Sequence, residues 1–476
     1  MQSKSIDSSG IIISALSGGS GKTLVSIGII AALNRIGKKV APFKKGPDYI
    51  DAGWLALAAG RPCLNLDTFI IDKYSILHSF QTSTIKANIA VIEGNRGLYD
   101  GVDIFGSTST ANLAKLLKIP VVICIDCTKA TRTIAALVSG CMHFDPDVAI
   151  KGVILNRIAG SRHENIITRC IEHYCGIPVV GALPKLEMQI FPERHMGLVP
   201  TPEHEWAKDS IKKAADIAKK YINLDLVVKI ANNAETQGNI NANIKLDNRI
   251  LQGSFKCHTK IGVFLDSAFQ FYYPENITAL KKLGAKIIFI SPLENKSIPD
   301  VDAIYIGGGF PETHAEQLSN NKIFKKELAL LAKQGLPIYA ECGGLMYLGQ
   351  QLVLGEKTYE MTGVLPAVFG FSKKPKGHGY TIAHVKGNNP FFKTGTTLKG
   401  HEFHYSYILK WSGNDKDLVF SMKKGKGIIK KKDGISYKNV LATYTHIHAL
   451  GVPEWAESMV NIAISYKEKN KGNRLS

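Results

Sequence analysis

Ile11-Ile12-Ile13-Ser14-Ala15-Leu16-Ser17-Gly18-Gly19-Ser20-Gly21-Lys22-Thr23 reads as a buried strand, a glycine-rich loop and the start of a helix. In such a loop backbone N–H groups cradle phosphate oxygens, a lysine neutralises the β- and γ-phosphates, and the next hydroxyl holds Mg²⁺. Lys22 and Thr23 stand in those places, and Ser17, Gly18, Gly19, Ser20 and Gly21 supply the loop. Leu16 occupies the position where the strict pattern has glycine. The assignment to nucleotide binding therefore leans on the strand before the loop and the helix after it.

The pattern extends outward from this loop. Apolar runs at residues 11–14, 40–43, 89–92, 121–125, 152–155 and 179–182 alternate with helical patterns near 21–36, 108–118, 131–143 and 163–174. Such alternation predicts an α/β fold with a doubly wound, mostly parallel sheet, whose ligands sit at the carboxyl ends of the strands. Acidic residues stand at those ends: Asp48 after the second run, Glu93 and Asp100 after the third. Carboxylates beside a phosphate loop are natural Mg²⁺ ligands, although each alone also suits a helix cap or a turn. Thr23, Asp48 and Glu93 are the expected metal ligands. A motor or switch ATPase and a ligase that phosphorylates a carboxylate would both use such a site.

The 476 residues suffice for two or three domains. No run approaches the ~18 apolar residues of a membrane span, and residues 1–10 carry no signal-peptide pattern, so no membrane partner is expected. Eight cysteines, at 63, 124, 127, 141, 170, 175, 257 and 342, show no disulfide framework, which points to a reducing cytoplasm. Cys124-Ile125-Asp126-Cys127 has CxxC spacing but no second pair, which argues against zinc. With 59 Lys and Arg against 40 Asp and Glu the net charge is +19, and an anionic partner is implied. The densest basic cluster, Lys423-Lys424-Gly425-Lys426 with Lys430-Lys431-Lys432, reads as a hairpin tip. It lacks interleaved aromatics and no nucleic-acid-binding motif occurs elsewhere, so nucleic acid is excluded as the partner.

Residues 222–259 are polar and Asn-rich and read as a linker between a domain at 1–221 and a second α/β domain at 260–476. That second domain holds Tyr339-Ala340-Glu341-Cys342-Gly343-Gly344-Leu345-Met346, which follows an apolar run. Strand, tight turn at cysteine, then helix is a nucleophile elbow, and a helix N-terminus there is expected to lower the thiol pKa. Ile304-Tyr305-Ile306-Gly307-Gly308-Gly309 ends a strand in bare backbone N–H groups. Gly308 and Gly309, with Gly343 at the elbow, are the expected oxyanion hole. His446, in Thr445-His446-Ile447-His448, is the candidate base for Cys342.

These features resemble the class I glutamine amidotransferase domain, in which a cysteine attacks the glutamine amide and releases ammonia. That family usually ends in His-x-Glu; here His446 matches the base and His448 occupies the carboxylate position, leaving a dyad or an unplaced third group. A P-loop synthetase joined to such a glutaminase resembles the cobyrinate a,c-diamide synthase family. The resemblance runs from Ile11 to about Ser465 through Gly46-Pro47-Asp48-Tyr49-Ile50-Asp51, Glu93-Gly94 to Asp100-Gly101, Leu155-Asn156-Arg157, Arg194-His195-Met196-Gly197-Leu198, Gly308-Gly309-Phe310-Pro311-Glu312 and Gly400-His401-Glu402. It implies an ATP- and Mg²⁺-dependent ligase of cobalamin biosynthesis. A tetrapyrrole polycarboxylate would be phosphorylated at its c and a acetates, and ammonia from glutamine would then displace phosphate. Asp48, Glu93 and Asp100 carry over as residues for ATP, Mg²⁺ and substrate, Ile50 as a selector of the carboxylate, and a homodimer is the implied assembly. Asn95-Arg96 and Ala52-Gly53-Trp54 depart from the family pattern at segments expected to flank the substrate. Cobyrinate, nickel-sirohydrochlorin, sirohydrochlorin and sirohaem are the macrocycles this leaves open. The reading of another class is a non-enzymatic P-loop partitioning or switch protein with a degenerate glutaminase-like module.

Overall fold

The computed structural model describes residues 9–186, 191, 193–194, 197–201, 206–233 and 259–474. The chain divides into two compact units, Met1–Lys245 and Leu246–Ser476.

The first unit is built on seven parallel strands: β1 (Gly10–Ala15), β2 (Val40–Lys45), β3 (Leu64–Leu66), β4 (Ile89–Glu93), β5 (Val121–Asp126), β6 (Ile150–Ile158) and β7 (Val179–Pro184), in the order β3-β2-β4-β1-β5-β6-β7. β1 is central, and its Ile11, Ile12 and Ile13 are fully buried, as a strand covered on both faces requires. The six apolar runs are all strands; β3 escaped notice because three residues carry no period. The helix Tyr49–Ala59 was also missed. It buries Ala52, Trp54, Leu55, Ala58 and Ala59, and its sequence is too uniformly apolar to show one wet face.

The expectation of a linker from residue 222 is corrected at its start. Asn223 caps a helix, Leu224–Asn232, by accepting from the Leu226 N–H. Val227, Ile230 and Ala231 of that helix enter the first unit's core. Residues 234–258, including most of the Asn-rich stretch and Cys257, lie outside the described residues, as do His195 and Met196.

The second unit has a nine-stranded sheet. Its first five strands, in spatial order Lys286–Ile290, Lys260–Phe264, Ala303–Ile306, Ile338–Glu341 and Val440–Thr443, are parallel. The sheet continues antiparallel through Lys432–Tyr437, Leu418–Lys424, Gly377–Val385 and Thr397–His404. Apolar clusters cover both faces. The lysine-rich stretch is the hairpin turn between Leu418–Lys424 and Lys432–Tyr437. The seven described cysteines form no disulfide. Among the described residues no helix is long and apolar enough to cross a membrane.

Candidate functional site

β1 delivers the glycine-rich loop at its carboxyl end. Gly19 and Gly21 have φ of 75° and 91°, in the left-handed region that disfavours side chains. A Cβ on Gly21 would stand 2.2 Å from Asn156 Nδ2. That amide donates to the Ser20 carbonyl at 2.9 Å, and Arg157 donates to the Gly19 carbonyl at 3.2 Å. The loop is thus held from β6, and the Leu155-Asn156-Arg157 segment supplies the clamp.

Next to the loop lies a buried charge cluster. Thr23 Oγ1 donates to Glu93 Oε1 at 2.7 Å. Lys44 Nζ is 3.1 Å from the same oxygen and donates to Asp51 Oδ2 at 2.6 Å. Glu93 is fully buried and Lys44 is 1% exposed. Burial acts against the Lys44 charge, but Asp51 and then Glu93 outweigh it and hold the ammonium well above its ordinary range. Burial pushes Glu93 up to about 7, with Lys44 opposing. Lys22 is lowered by burial and by the neighbouring Lys44. Lys44 and Asp51 were missed as site residues; a lysine ending an apolar strand was the available signal.

Asp48 caps the helix Tyr49–Ala59, accepting from Asp51 N at 2.9 Å, and burial followed by the Asp51 charge raises it to about 6. Asp100 is exposed and accepts from Gly97 N at 2.9 Å. A Cβ on Gly97 would stand 2.5 Å from the Leu16 carbonyl, so the Asp100 turn lies against the phosphate loop. The structure therefore joins Thr23 to Glu93 directly and gives Asp48 and Asp100 local capping partners.

The fit to Mg²⁺ rests on one atom. Glu93 Oε2 is buried without a hydrogen-bond partner, and a buried carboxylate oxygen left so is costly unless a cation or donor joins it. Among the described residues no group of three or more His, Cys, Asp or Glu is placed to hold a metal. One open carboxylate oxygen is a donor of the kind Mg²⁺ takes, since that ion binds one or two carboxylates and completes its shell with water and phosphate.

Within Ala52-Gly53-Trp54, the Trp54 side chain is fully buried, donates to the Val199 carbonyl at 2.9 Å and packs edge-on against Phe191. Arg96, by contrast, is exposed, with φ of 50°, at the carboxyl end of β4.

In the second unit Cys342 joins the strand Ile338–Glu341 to the helix Gly343–Leu348 with φ 46° and ψ −94°. Strain of this kind in a non-glycine residue costs about 1–3 kcal/mol and gathers at functional sites. The flanking glycines are required: a Cβ on Gly343 would stand 3.0 Å from the Gly309 nitrogen, and one on Gly344 2.7 Å from the Ile306 carbonyl. A Cβ on Gly308 would stand 2.6 Å from His446 Cε1. Elbow, glycine turn and imidazole therefore converge.

The expected lowering of the thiol pKa is overturned. Cys342 is 5% exposed; burial, then the charges of Glu312 and Glu341, push it up, and the Gly343 N–H opposes them only partly. The helix is only six residues long, too short a dipole to offset desolvation. A base must take the thiol proton before this sulfur can attack.

His446 is held rigidly. Its N–H and carbonyl pair with His401, and their rings stack at 4.9 Å. Burial, then His446, His448 and His378, keep His401 well below the ordinary imidazole range, hence neutral. Buried Asp433 accepts from the N–H groups of Tyr444 and Thr445 and from the hydroxyls of Thr443 and Thr445. Glu341, which sequence reading passed over, faces His446 Nδ1 at 3.3 Å.

The comparisons with known proteins agree in both units. The CobQ/CobB/MinD/ParA nucleotide binding domain family matches residues 11–199. The CobB/CobQ-like glutamine amidotransferase domain family matches residues 260–453. The cobyrinate a,c-diamide synthase of Magnetococcus marinus is 40% identical over 447 residues, covering 94% of this chain and 95% of its own. That of Archaeoglobus fulgidus is 38% identical over 458 residues, 96% of this chain and 98% of its own, and that of Methanobrevibacter smithii 38% identical over 462 residues, 96% and 99%. Among solved structures, chloroplast FtsY from Physcomitrella patens overlaps 38% of this chain and 59% of its own at 14% identity and a TM-score of 0.26, too slight a likeness to weigh. With two ordered sites, both domain families in sequence and full-length relatives at this identity, the chain belongs to the cobyrinate a,c-diamide synthase family of glutamine-dependent ligases.

Proposed function

We propose that this ligase converts the c and a acetate side chains of cobyrinate to amides, using ATP for activation and glutamine for nitrogen. A carboxylate is a poor electrophile until phosphorylated, and phosphoryl transfer is catalysed chiefly by positioning and charge neutralisation. The residues around the glycine-rich loop suit that task. Backbone N–H groups of residues 17–21 and the Lys22 ammonium would receive the ATP phosphates. Thr23 and Glu93 would hold Mg²⁺, with Asp48 nearby, and the ion would add charge neutralisation at the phosphates. The macrocycle's acetate would attack the γ-phosphate to give an acyl phosphate with ADP as the leaving group, and ammonia would then displace phosphate and leave the amide. Asp100 and exposed Arg96 border the loop and would meet the substrate's polar rim; Arg96 is the departure that could bias the choice of macrocycle.

Nitrogen comes from the second unit. His446 would take the Cys342 proton, the thiolate would add to the glutamine carboxamide, and N–H groups of the Gly308–Gly309 turn and Gly343 would stabilise the oxyanion. His446 would return that proton to the departing nitrogen so that ammonia leaves, and water would hydrolyse the thioester to glutamate and the free thiol. The observation that carries the whole reading is the buried Thr23–Glu93–Lys44 cluster under a glycine loop, in the same chain as a strained cysteine elbow whose glycine turn adjoins a histidine. The test is incubation with ATP, Mg²⁺, glutamine and, separately, cobyrinate, nickel-sirohydrochlorin, sirohydrochlorin and sirohaem, with products read by mass. Two acid-to-amide conversions on cobyrinate are expected. Conversion of another macrocycle in its place would reassign the substrate, and conversion of none would remove the proposal.

A further inference from the structure

His446 needs a partner at Nδ1, because an imidazole that accepts a thiol proton at one nitrogen works only if the other nitrogen carries its hydrogen and is held in place. The residue two positions on is His448, and it is engaged elsewhere. Its Nδ1 accepts from Leu450 N at 3.1 Å, its Nε2 lies 3.6 Å from Glu275, and its ring packs on Tyr273.

We infer that Glu341, the residue immediately before the nucleophile, is the positioning carboxylate of His446. It is fully buried. Its Oε2 faces His446 Nδ1 at 3.3 Å and receives the Tyr305 hydroxyl at 3.1 Å. Its Oε1 receives the Tyr339 hydroxyl at 3.3 Å and the Ile447 N–H at 3.1 Å. Three fixed donors thus surround one carboxyl group, and burial holds both tyrosines far above their ordinary range, so they remain donors. The geometry is locked in register: Glu341 pairs with Thr443 across parallel strands, and Cys342 N donates to the Thr443 carbonyl. Carboxylate, thiol and imidazole thus sit on two adjacent strand ends of one sheet.

The consequence is a defined tautomer. His446 carries its hydrogen on Nδ1, toward Glu341, and its lone pair on Nε2. When the Cys342 proton moves to Nε2, Glu341 keeps its charge and stabilises the imidazolium. The net charge of the three groups stays at minus one throughout. Taken alone, the Glu341 charge makes Cys342 harder to ionise. It assists only through the histidine, which is why it is a positioning residue.

The inference rests on the glutaminase reading of Cys342, so the experiment separates the two. Glutamine hydrolysis by the full chain, lost in Cys342→Ser, tests that reading. ¹⁵N-histidine NMR of the unmodified protein then reports the His446 tautomer directly, with the Cys342, His401 and Glu341 groups around it intact. An Nδ1–H resonance is expected; an Nε2–H tautomer would overturn the inference whether or not any variant folds. For Glu341→Gln, the ratio of glutamine-driven to ammonia-driven amidation should fall by up to roughly 10⁴-fold, the loss seen when the carboxylate behind a catalytic histidine is replaced by its amide. The acid limb of kcat/KM should move to lower pH, because the imidazolium loses its counter-charge, and Glu341→Asp should recover at least tenfold over the amide variant. A ratio within threefold of the unmodified protein, with an unmoved acid limb, would reduce Glu341 to a structural hydrogen-bond acceptor.

Discussion

At the scale of single residues, burial decides most of what the polar groups do. Cys342, Glu93 and Lys44 are reactive or charged groups held where water cannot reach, and each depends on a neighbour to function. Cys342→Ser is therefore expected to abolish glutamine hydrolysis while amidation supplied with ammonium salt continues, measured by product mass under both nitrogen sources; equal loss of both would argue against a separate nitrogen site. Glu402 offers a test in pH. Burial raises its carboxyl, but the His404 ring and the N–H groups of Lys426 and Gly427 outweigh it and hold the carboxyl below its ordinary value of 4.5. A folded-state pKa below the unfolded one stabilises above the unfolded value and is lost as pH falls through the folded value. Glu402→Gln should cost about 1.5–3 kcal/mol at pH 7. The gap from the unmodified protein in urea unfolding should narrow as pH falls below about 4.5, and a gap constant with pH would contradict the assignment.

At the scale of elements, the phosphate loop and the helix Leu224–Asn232 show two different limits of sequence reading. The loop's composition announced its chemistry, and its support did not: Asn156 and Arg157 come from a strand more than a hundred residues away. Gly21→Ala should strain the backbone by about 1–2 kcal/mol, since φ is 91° there. It should also displace Asn156, so that nucleotide affinity falls at least tenfold in a titration followed by calorimetry. Unchanged affinity would mean that the loop binds phosphate in another conformation. The helix Leu224–Asn232 was hidden because its apolar stripe is short and runs into a polar stretch. Ile230→Ala should destabilise the first unit by about 2–5 kcal/mol, the usual cost of truncating a core isoleucine, read from the thermal midpoint. A loss under 0.5 kcal/mol would return the segment to the status of a linker.

At the scale of the whole molecule, activation chemistry and nitrogen release are assigned to separate units of one chain. Lys22→Ala should stop amidation with either nitrogen source while glutamine hydrolysis persists; turnover at the unmodified rate would remove the phosphate loop from the reaction. Sequence alone determined much of this. Alternating apolar runs announced the first sheet apart from its three-residue strand β3, because burial on two faces writes itself into local composition. The glycine spacing fixed the phosphate loop and the cysteine elbow, because only glycine tolerates those approaches. Tertiary structure decided what depends on distant chain segments meeting. It placed Lys44 and Asp51 beside Glu93 and closed Trp54 into the core. It turned the thiol pKa upward and set Glu341 against His446 Nδ1. Pairing of Glu341 with Thr443 brings together residues about a hundred positions apart, and no local pattern encodes the partner across a strand or the loss of water around it.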